Sequence, residues 1–152
     1  MNLGQRNNNP LNIRRGKTLW KGEKTPSTSP VKGENKKASP LRGGLEGSAF
    51  CQFSSPVWGI RAAFCLLRTY RNKYKAVCIE DIITRWAPPS ENDTAAYIRT
   101  VCRLTGFGGK ERLTENEWPR LIKAMAVVES GWHLLEETIN KGYELYKGEM
   151  KN

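Results

Sequence analysis

The sequence predicts a mainly α-helical single domain with about five helices and a small irregular β or loop lobe near the N-terminus. The chain has 152 residues, 38% of them hydrophobic, which suits one domain with its own core. After residue 49, apolar residues recur every three or four positions, as on one face of a helix. Residues 16–47 are instead rich in Gly, Pro, Ser, Thr and Lys, a composition typical of a basic loop or β-lobe insert.

Turn residues separate the first three helices. The first is expected to begin at Pro56, because proline is common in the first helical turn. The second spans about 77–86 and ends before a Pro-Pro pair. The third opens in residues 90–94 and ends at Gly106. The apolar stripe of the first helix comprises Trp58, Ala62, Cys65, Leu66 and Tyr70.

The last two helices carry clearer boundary signals. Thr114 and Glu117 form a capping-box pattern, which predicts a fourth helix from about Glu115 to Ser130, where Gly131 ends it. A fifth helix, from 134 to about 147, is amphipathic through Leu135, Ile139 and Tyr143.

The charge points to an anionic partner. The chain carries a net charge of +10, and the first 50 residues alone hold 10 basic and 3 acidic side chains. No apolar run reaches the length of a membrane span, so membrane insertion is not expected. The polar first nine residues lack the apolar segment of a signal peptide.

The cysteine and histidine pattern argues against metal or nucleophile chemistry. The four cysteines have no CxxC spacing, and the chain has one histidine, His133. We interpret all four cysteines as reduced and structural. Neither a metal nor an organic cofactor is expected.

Glu129 is the strongest candidate for a catalytic residue. It follows Trp118, Ile122 and Met125 at spacings of four and three residues, so it shares their predicted buried face in the last helical turn. Burial and the negative end of the helix dipole both raise the pKa of a carboxyl group, and an acid protonated near neutral pH suits glycosidic bond cleavage. The alternative is a structural pairing of Glu129 with an arginine.

Several segments of the chain resemble motifs of known enzymes. Residues 125–132 (Met-Ala-Val-Val-Glu-Ser-Gly-Trp) resemble the end of the catalytic helix of lysozyme-like lytic transglycosylases. Residues 6–14 (Arg-Asn-Asn-Asn-Pro-Leu-Asn-Ile-Arg) resemble their cleft-lining stretch. Residues 50–62 are similar to a strand-to-helix passage of flagellar-type glucosaminidases and related phage lysins, and 86–89 with Tyr97 to an aromatic substrate-contacting segment of those enzymes. Residues 85–94, together with the Arg-Asn-Asn-Asn-Pro stretch, resemble a family of phage virion proteins and lysins. In the usual enzymes the first of these motifs precedes the second; the reversed order here suggests a circular permutation.

The resemblance implies an α+β lysozyme-like fold that cleaves the MurNAc–GlcNAc β-1,4 bond of peptidoglycan, with Glu129 as general acid and base. Glu46 is a loose candidate for a second carboxylate, whereas Glu91 and Asp93 are interpreted as helix-opening residues. Without a compelling second acid, a lytic transglycosylase is favoured over a hydrolase. The residues expected to hold the glycan are Asn9, Asn12, Trp86, Asn92 and Tyr97.

Weaker signals remain open. Asn8 also carries an amide suited to sugars, and Trp20 could stack on a sugar ring or pack in the core. Arg14, Arg15 and Arg85 could pair with peptide-stem carboxylates, pair with Glu129 or remain solvated. Tyr70 is assigned to packing.

The expected partner is therefore the peptidoglycan glycan strand. The protein would be made in the cytoplasm and act in the periplasm or cell wall after delivery by a phage particle or a secretion machine, so a virion, a secretion system or an immunity protein is a candidate partner. Two other functions remain open: a non-catalytic virion structural protein, and a basic nucleic-acid-binding module. No known nucleic-acid-binding motif is present, which disfavours the latter.

Overall fold

A computed structural model describes residues 2–16, 19–24 and 50–151. Most of the basic segment 16–47, including Glu46, lies outside these described residues. Within them the protein is mainly helical, as predicted. The helices are α1 (Leu3–Arg6), α2 (Pro56–Tyr74), α3 (Ile79–Trp86), α4 (Thr94–Thr105), a 3₁₀ turn (Glu115–Glu117), α5 (Trp118–Ser130) and α6 (Glu136–Lys151).

Extended pairing in the described ranges is limited to two antiparallel bridges, which join Arg14 to Phe50 and Glu23 to Phe53. These bridges hold Arg14 and Glu23 against the extended passage that leads into α2. No helix of the described ranges is long and apolar enough to cross a bilayer.

Most helix boundaries confirm the sequence signals. Pro56 opens α2, although the side chain of Ser55 makes no capping hydrogen bond. The capping box between Thr114 and Glu117 forms as predicted. Gly131 ends α5 with a φ of 65°, a left-handed conformation that suits a residue without a Cβ.

Two expectations about helices were wrong or incomplete. The short helix α1 was not predicted, because a single turn has too few residues to show a periodic pattern. The last helix begins at Glu136 rather than at 134, so Leu135 lies before it and is 69% exposed. The buried positions of α6 are Ile139, Gly142 and Tyr146.

Helix α2 packs mainly against α6, and its most buried side chains differ from the predicted stripe. Ile60, Phe64 and Leu67 are at most 1% exposed, whereas the predicted Cys65, Leu66 and Tyr70 are only half-buried. The two helices approach closely at Gly142, where an added Cβ would lie 2.6 Å from Cγ2 of Ile60. Of the predicted stripe, Ala62 is confirmed on the inner face at 0% exposed, whereas the other four residues lie on the flank: Trp58, Cys65, Leu66 and Tyr70.

Helix α5 contacts α1, α2, α4 and α6. Trp118, Ile122 and Met125 are 2%, 0% and 0% exposed, which confirms their predicted place in the core. Glu129 follows on the same face and is half-buried.

The side chain of Asn9 links two backbone segments by hydrogen bonds. It is completely buried, and its amide donates to the carbonyls of Ile13 and Cys51 at 3.0 and 2.9 Å. Its side-chain oxygen accepts the Ile13 N–H at 2.9 Å. The expectation that Asn9 contacts substrate is therefore corrected, because no part of its side chain reaches the surface. The amide of Asn8 is likewise engaged, donating to the Phe53 carbonyl at 3.0 Å.

Asn9→Ala should lower the free energy of unfolding by about 2–4 kcal/mol, because it leaves three buried backbone groups without their partner. Urea denaturation measures this. The exposed Asn140→Ala is the matched control and should change stability by less than about 0.5 kcal/mol. Equal effects of the two substitutions would contradict the structural role of Asn9.

Candidate active site

A cleft of about 560 Å³ opens beside the C-terminal end of α5. The N-terminal segment, the C-terminal part of α2, the end of α3 and the turn that follows it form its walls. The described residues that line it are Asn12, Ile13, Arg14, Gly16, Trp20, Phe50, Leu66, Tyr70, Trp86, Ala87, Pro88, Glu91, Asn92 and Glu129.

Glu129 is held on the cleft wall by both its side chain and its backbone. The hydroxyl of Tyr97, on α4, donates to Oε2 of Glu129 at 2.9 Å. Nδ2 of Asn12 donates to the backbone carbonyl of Glu129 at 3.0 Å. This carbonyl belongs to the last turn of α5, where carbonyls lack helical partners. Asn12 therefore fixes the helix end from which the carboxyl group projects.

Burial raises the pKa of the Glu129 carboxyl group above its ordinary value. Hydrogen bonding from Tyr97, Asn12 and Trp86, and the positive charge of Arg14, act in the opposite direction without cancelling the effect of burial. Glu129 thus combines contact with the cleft and a raised proton affinity, which is the combination that a general acid needs.

Tyr97 supports Glu129 rather than a ligand. Its side chain is 7% exposed and does not line the cleft. Burial, together with the adjacent Glu129 carboxylate, raises the Tyr97 pKa well above its ordinary value, so the hydroxyl keeps its proton and remains a donor. The expected sugar contact by Tyr97 is corrected to a positioning contact.

Three of the predicted substrate contacts do lie on the cleft wall. Trp86 packs edge-on against Tyr70 with ring centroids 6.1 Å apart. Asn92 is exposed, and its amide donates to the Pro88 carbonyl at 3.1 Å. Asn12 is half-buried and has a left-handed backbone with a φ of 51°.

The two acids at the start of α4 have different positions. Asp93 caps the helix, since its side chain accepts the Ala96 N–H at 3.1 Å. Glu91 lies two residues before this cap, as expected for the helix opening, and is also exposed on the cleft wall. Glu46 lies outside the described residues.

Sequence reasoning also missed part of the wall. Tyr70 was assigned to packing, yet it lines the cleft together with Leu66, four residues earlier on α2. Phe50 also lines the cleft, and its ring lies under the guanidinium group of Arg14. Their helical or extended spacing was visible, but apolar spacing alone does not distinguish a core face from a cleft wall.

None of the four cysteines is among the described residues that line the cleft. All four cysteines lie within the described ranges, and none forms a disulfide. Cys51, beneath the cleft, is fully buried, and burial followed by the nearby charge of Glu23 raises its thiol pKa to about 12. In the described ranges no group of three or more His, Cys, Asp or Glu side chains is placed to hold a metal ion.

The fold and site define a mainly helical protein with a half-buried acid on the wall of an open cleft. The chain is 39% identical over 145 residues to Protein P5 of Pseudoalteromonas phage PM2. This match covers 93% of the chain and 79% of the phage protein, and the chain therefore belongs to the same family as that phage protein. No protein-family model matches the sequence.

Glu129→Gln should stabilise the protein near neutral pH. The folded state holds the Glu129 proton more tightly than the unfolded chain, so the stability of the wild type falls as pH rises from the ordinary carboxyl pKa through the raised one. Glutamine does not titrate and still offers Tyr97 an acceptor. In urea denaturation the variant should match the wild type near about pH 3.5 and exceed it at about pH 7.

The exposed Glu144→Gln is the matched control and should show no such pH-dependent gain. A Glu129→Gln protein that gains no stability at neutral pH would contradict the raised pKa.

Tyr97→Phe should raise the Glu129 pKa further, because it removes a hydrogen bond that favours the ionised carboxylate. The measurement is the pH titration of the Glu129 carboxyl carbon by NMR. Tyr70→Phe, which alters a cleft-lining hydroxyl without a bond to Glu129, should leave this titration unchanged. An unchanged or lowered Glu129 pKa in Tyr97→Phe would refute the positioning role.

Proposed function

We propose that this protein cleaves the glycan strands of peptidoglycan at the MurNAc–GlcNAc β-1,4 bond, with Glu129 as general acid. The observation that carries the proposal is the placement of Glu129: its carboxyl group has a raised pKa, is held by Tyr97 and lies on the wall of a cleft of about 560 Å³. Such a carboxyl group holds its proton to a higher pH than an exposed one, and the proton can pass to a leaving glycosidic oxygen.

The proposed reaction needs one acid that later acts as a base. Glu129 gives its proton to the glycosidic oxygen as the bond from that oxygen to C1 of MurNAc breaks. The 6-hydroxyl of the same MurNAc then attacks C1 and forms the C1–O6 bond. Glu129 takes the hydroxyl proton and returns to its starting state. The product is a 1,6-anhydro end, and no water is consumed.

The surroundings of Glu129 suit a glycan. Trp86 and Tyr70 place aromatic surface on the wall, and aromatic faces pack against the C–H faces of pyranose rings. Asn92 adds an exposed amide. A chain net charge of +10 favours an anionic polymer such as the cell wall.

The spatial arrangement also supports the idea of a permuted lysozyme-like motif order. Although 120 residues separate them, Ser130 Oγ donates to the Pro10 carbonyl at 3.0 Å. Asn2 also donates to the Ser130 carbonyl. The Asn-rich segment therefore lies directly against the end of the helix that carries the acid, as a permutation requires.

The similarity to a phage protein supports a phage-related setting for this protein. We extend the proposal accordingly: the enzyme reaches the wall in a phage-type particle or by a comparable delivery machine, and acts in the periplasm or cell wall.

Hydrolysis is the second candidate reaction, and Glu91 is the observation in its favour. Glu91 and Glu129 line the same cleft, so Glu91 offers the second carboxyl group that a hydrolase uses to activate water or to stabilise the sugar cation. Transglycosylation remains preferred because it needs Glu129 alone.

Glu129→Gln should lower the rate of muropeptide release from purified peptidoglycan by at least about 100-fold, since it removes the general acid. The exposed Glu144→Gln is the control and should keep wild-type activity. Mass spectrometry of the released muropeptides should find 1,6-anhydro ends with the wild-type protein.

The other outcomes separate the alternatives. Reducing ends, together with loss of activity in Glu91→Gln, would replace transglycosylation by hydrolysis. Equal release of muropeptides by the wild type and Glu129→Gln would show that the active site lies elsewhere. No release by either protein would refute the enzymatic proposal and favour a structural virion protein, or a nucleic-acid-binding module if DNA binding proved steeply salt-dependent.

A further inference from the structure

The charged groups on the cleft wall are few. Among the described residues that line it, Arg14 is the cationic side chain, and Glu91 and Glu129 are the acidic ones. The ion pairs between described residues, Lys123 with Glu136 and Lys141 with Glu137, do not involve Arg14.

Hydrogen bonds to the neighbouring Ile13 and a β-bridge hold the backbone of Arg14 in place. Asn9 binds both the N–H and the carbonyl of the preceding Ile13, and Arg14 itself forms the antiparallel bridge with Phe50. The guanidinium carbon lies 5.3 Å from the centre of the Phe50 ring, a cation–π distance. The Arg14 side chain is exposed, and Arg14 is one of the residues that line the cleft.

Arg14 differs from the two other arginines that the sequence singled out. Arg85 is stacked on Tyr74, with its guanidinium carbon 3.3 Å from the ring centre, and does not line the cleft. Arg15 is half-buried and also does not line it. The charge of Arg14, in contrast, is close enough to Glu129 to act on its carboxyl group.

We infer that Arg14 recognises a carboxylate of the substrate, and so makes the cleft selective for peptide-bearing, anionic glycan strands over neutral N-acetylglucosamine polymers. This inference rests on the proposed function. The planar guanidinium binds a carboxylate through two parallel N–H···O bonds, and packing on Phe50 holds it ready for that geometry. The peptide stems of peptidoglycan carry such carboxylates, whereas chitin-type polymers carry none.

The binding test uses full-length protein with the Glu129→Gln substitution, so that no turnover occurs. Its affinity is measured for native peptidoglycan sacculi and for the same sacculi after their carboxylates are converted to neutral amides. Adding Arg14→Ala should weaken binding to native sacculi by about three- to tenfold and leave binding to amidated sacculi unchanged. Adding Arg14→Lys should give an intermediate loss on native sacculi, because the charge remains but the paired N–H groups do not.

Arg99→Ala is the matched control. Arg99 is exposed on α4 and lies outside the cleft, so its loss removes one positive charge without removing the proposed contact. Equal losses of affinity in Arg14→Ala and Arg99→Ala would overturn the inference. They would show that Arg14 contributes only a general electrostatic attraction to the wall. An equal loss on native and amidated sacculi would overturn it as well.

Kinetics provide a second test with Glu129 intact. Arg14→Ala should raise KM on native strands by more than on a neutral chitin oligosaccharide, whereas any change in kcat from losing the charge beside Glu129 should be equal on the two substrates. If Arg14 acted only through Glu129, the substitution would instead shift the pH profile on both substrates.

If the wild type cleaves neither substrate but carboxylate-dependent binding still requires Arg14, the proposed reaction fails and the recognition stands. If the wild type cleaves peptidoglycan but Arg14→Ala leaves binding unchanged, the recognition fails and the proposed reaction stands.

Discussion

The candidate site depends on which groups bind the last backbone carbonyls of α5. The last carbonyls of a helix have no partners within it, and here they face the protein interior and a cleft. Asn12 binds the carbonyl of Glu129, Asn2 binds that of Ser130, and the Ser130 hydroxyl reaches back to Pro10. These contacts join two ends of the chain that lie more than 100 residues apart. They also fix the direction in which the carboxyl group of Glu129 points.

The same constraint explains the chemistry of Glu129. A carboxyl group at a buried helix end resists ionisation, and the structure offsets only part of that cost through Tyr97, Asn12, Trp86 and Arg14. Tyr97 and Asn12 hold Glu129 in place, and the core face of α5 supports the helix that carries it.

The sequence predicted the helices and the placement of Glu129 because both depend on local periodicity and on caps. The face of α5 through Trp118 and Met125 needed only helical spacing. The sequence could not predict which asparagine is buried and which lines the cleft, because that depends on contacts between distant segments. Asn9 is buried while Asn12 lines the cleft, although both stand in one short motif. Tyr97 was recognised as part of the site, but its partner lies 32 residues away on another helix.

The most direct test of Glu129 as the acid is a crystal structure of the Glu129→Gln protein with a peptidoglycan fragment of several sugars. A glycosidic oxygen should lie within hydrogen-bonding distance of residue 129, with sugar rings against Trp86 and a stem carboxylate near Arg14. A fragment bound outside this cleft, or bound in it with no glycosidic oxygen within reach of residue 129, would contradict the assignment of Glu129 as the acid.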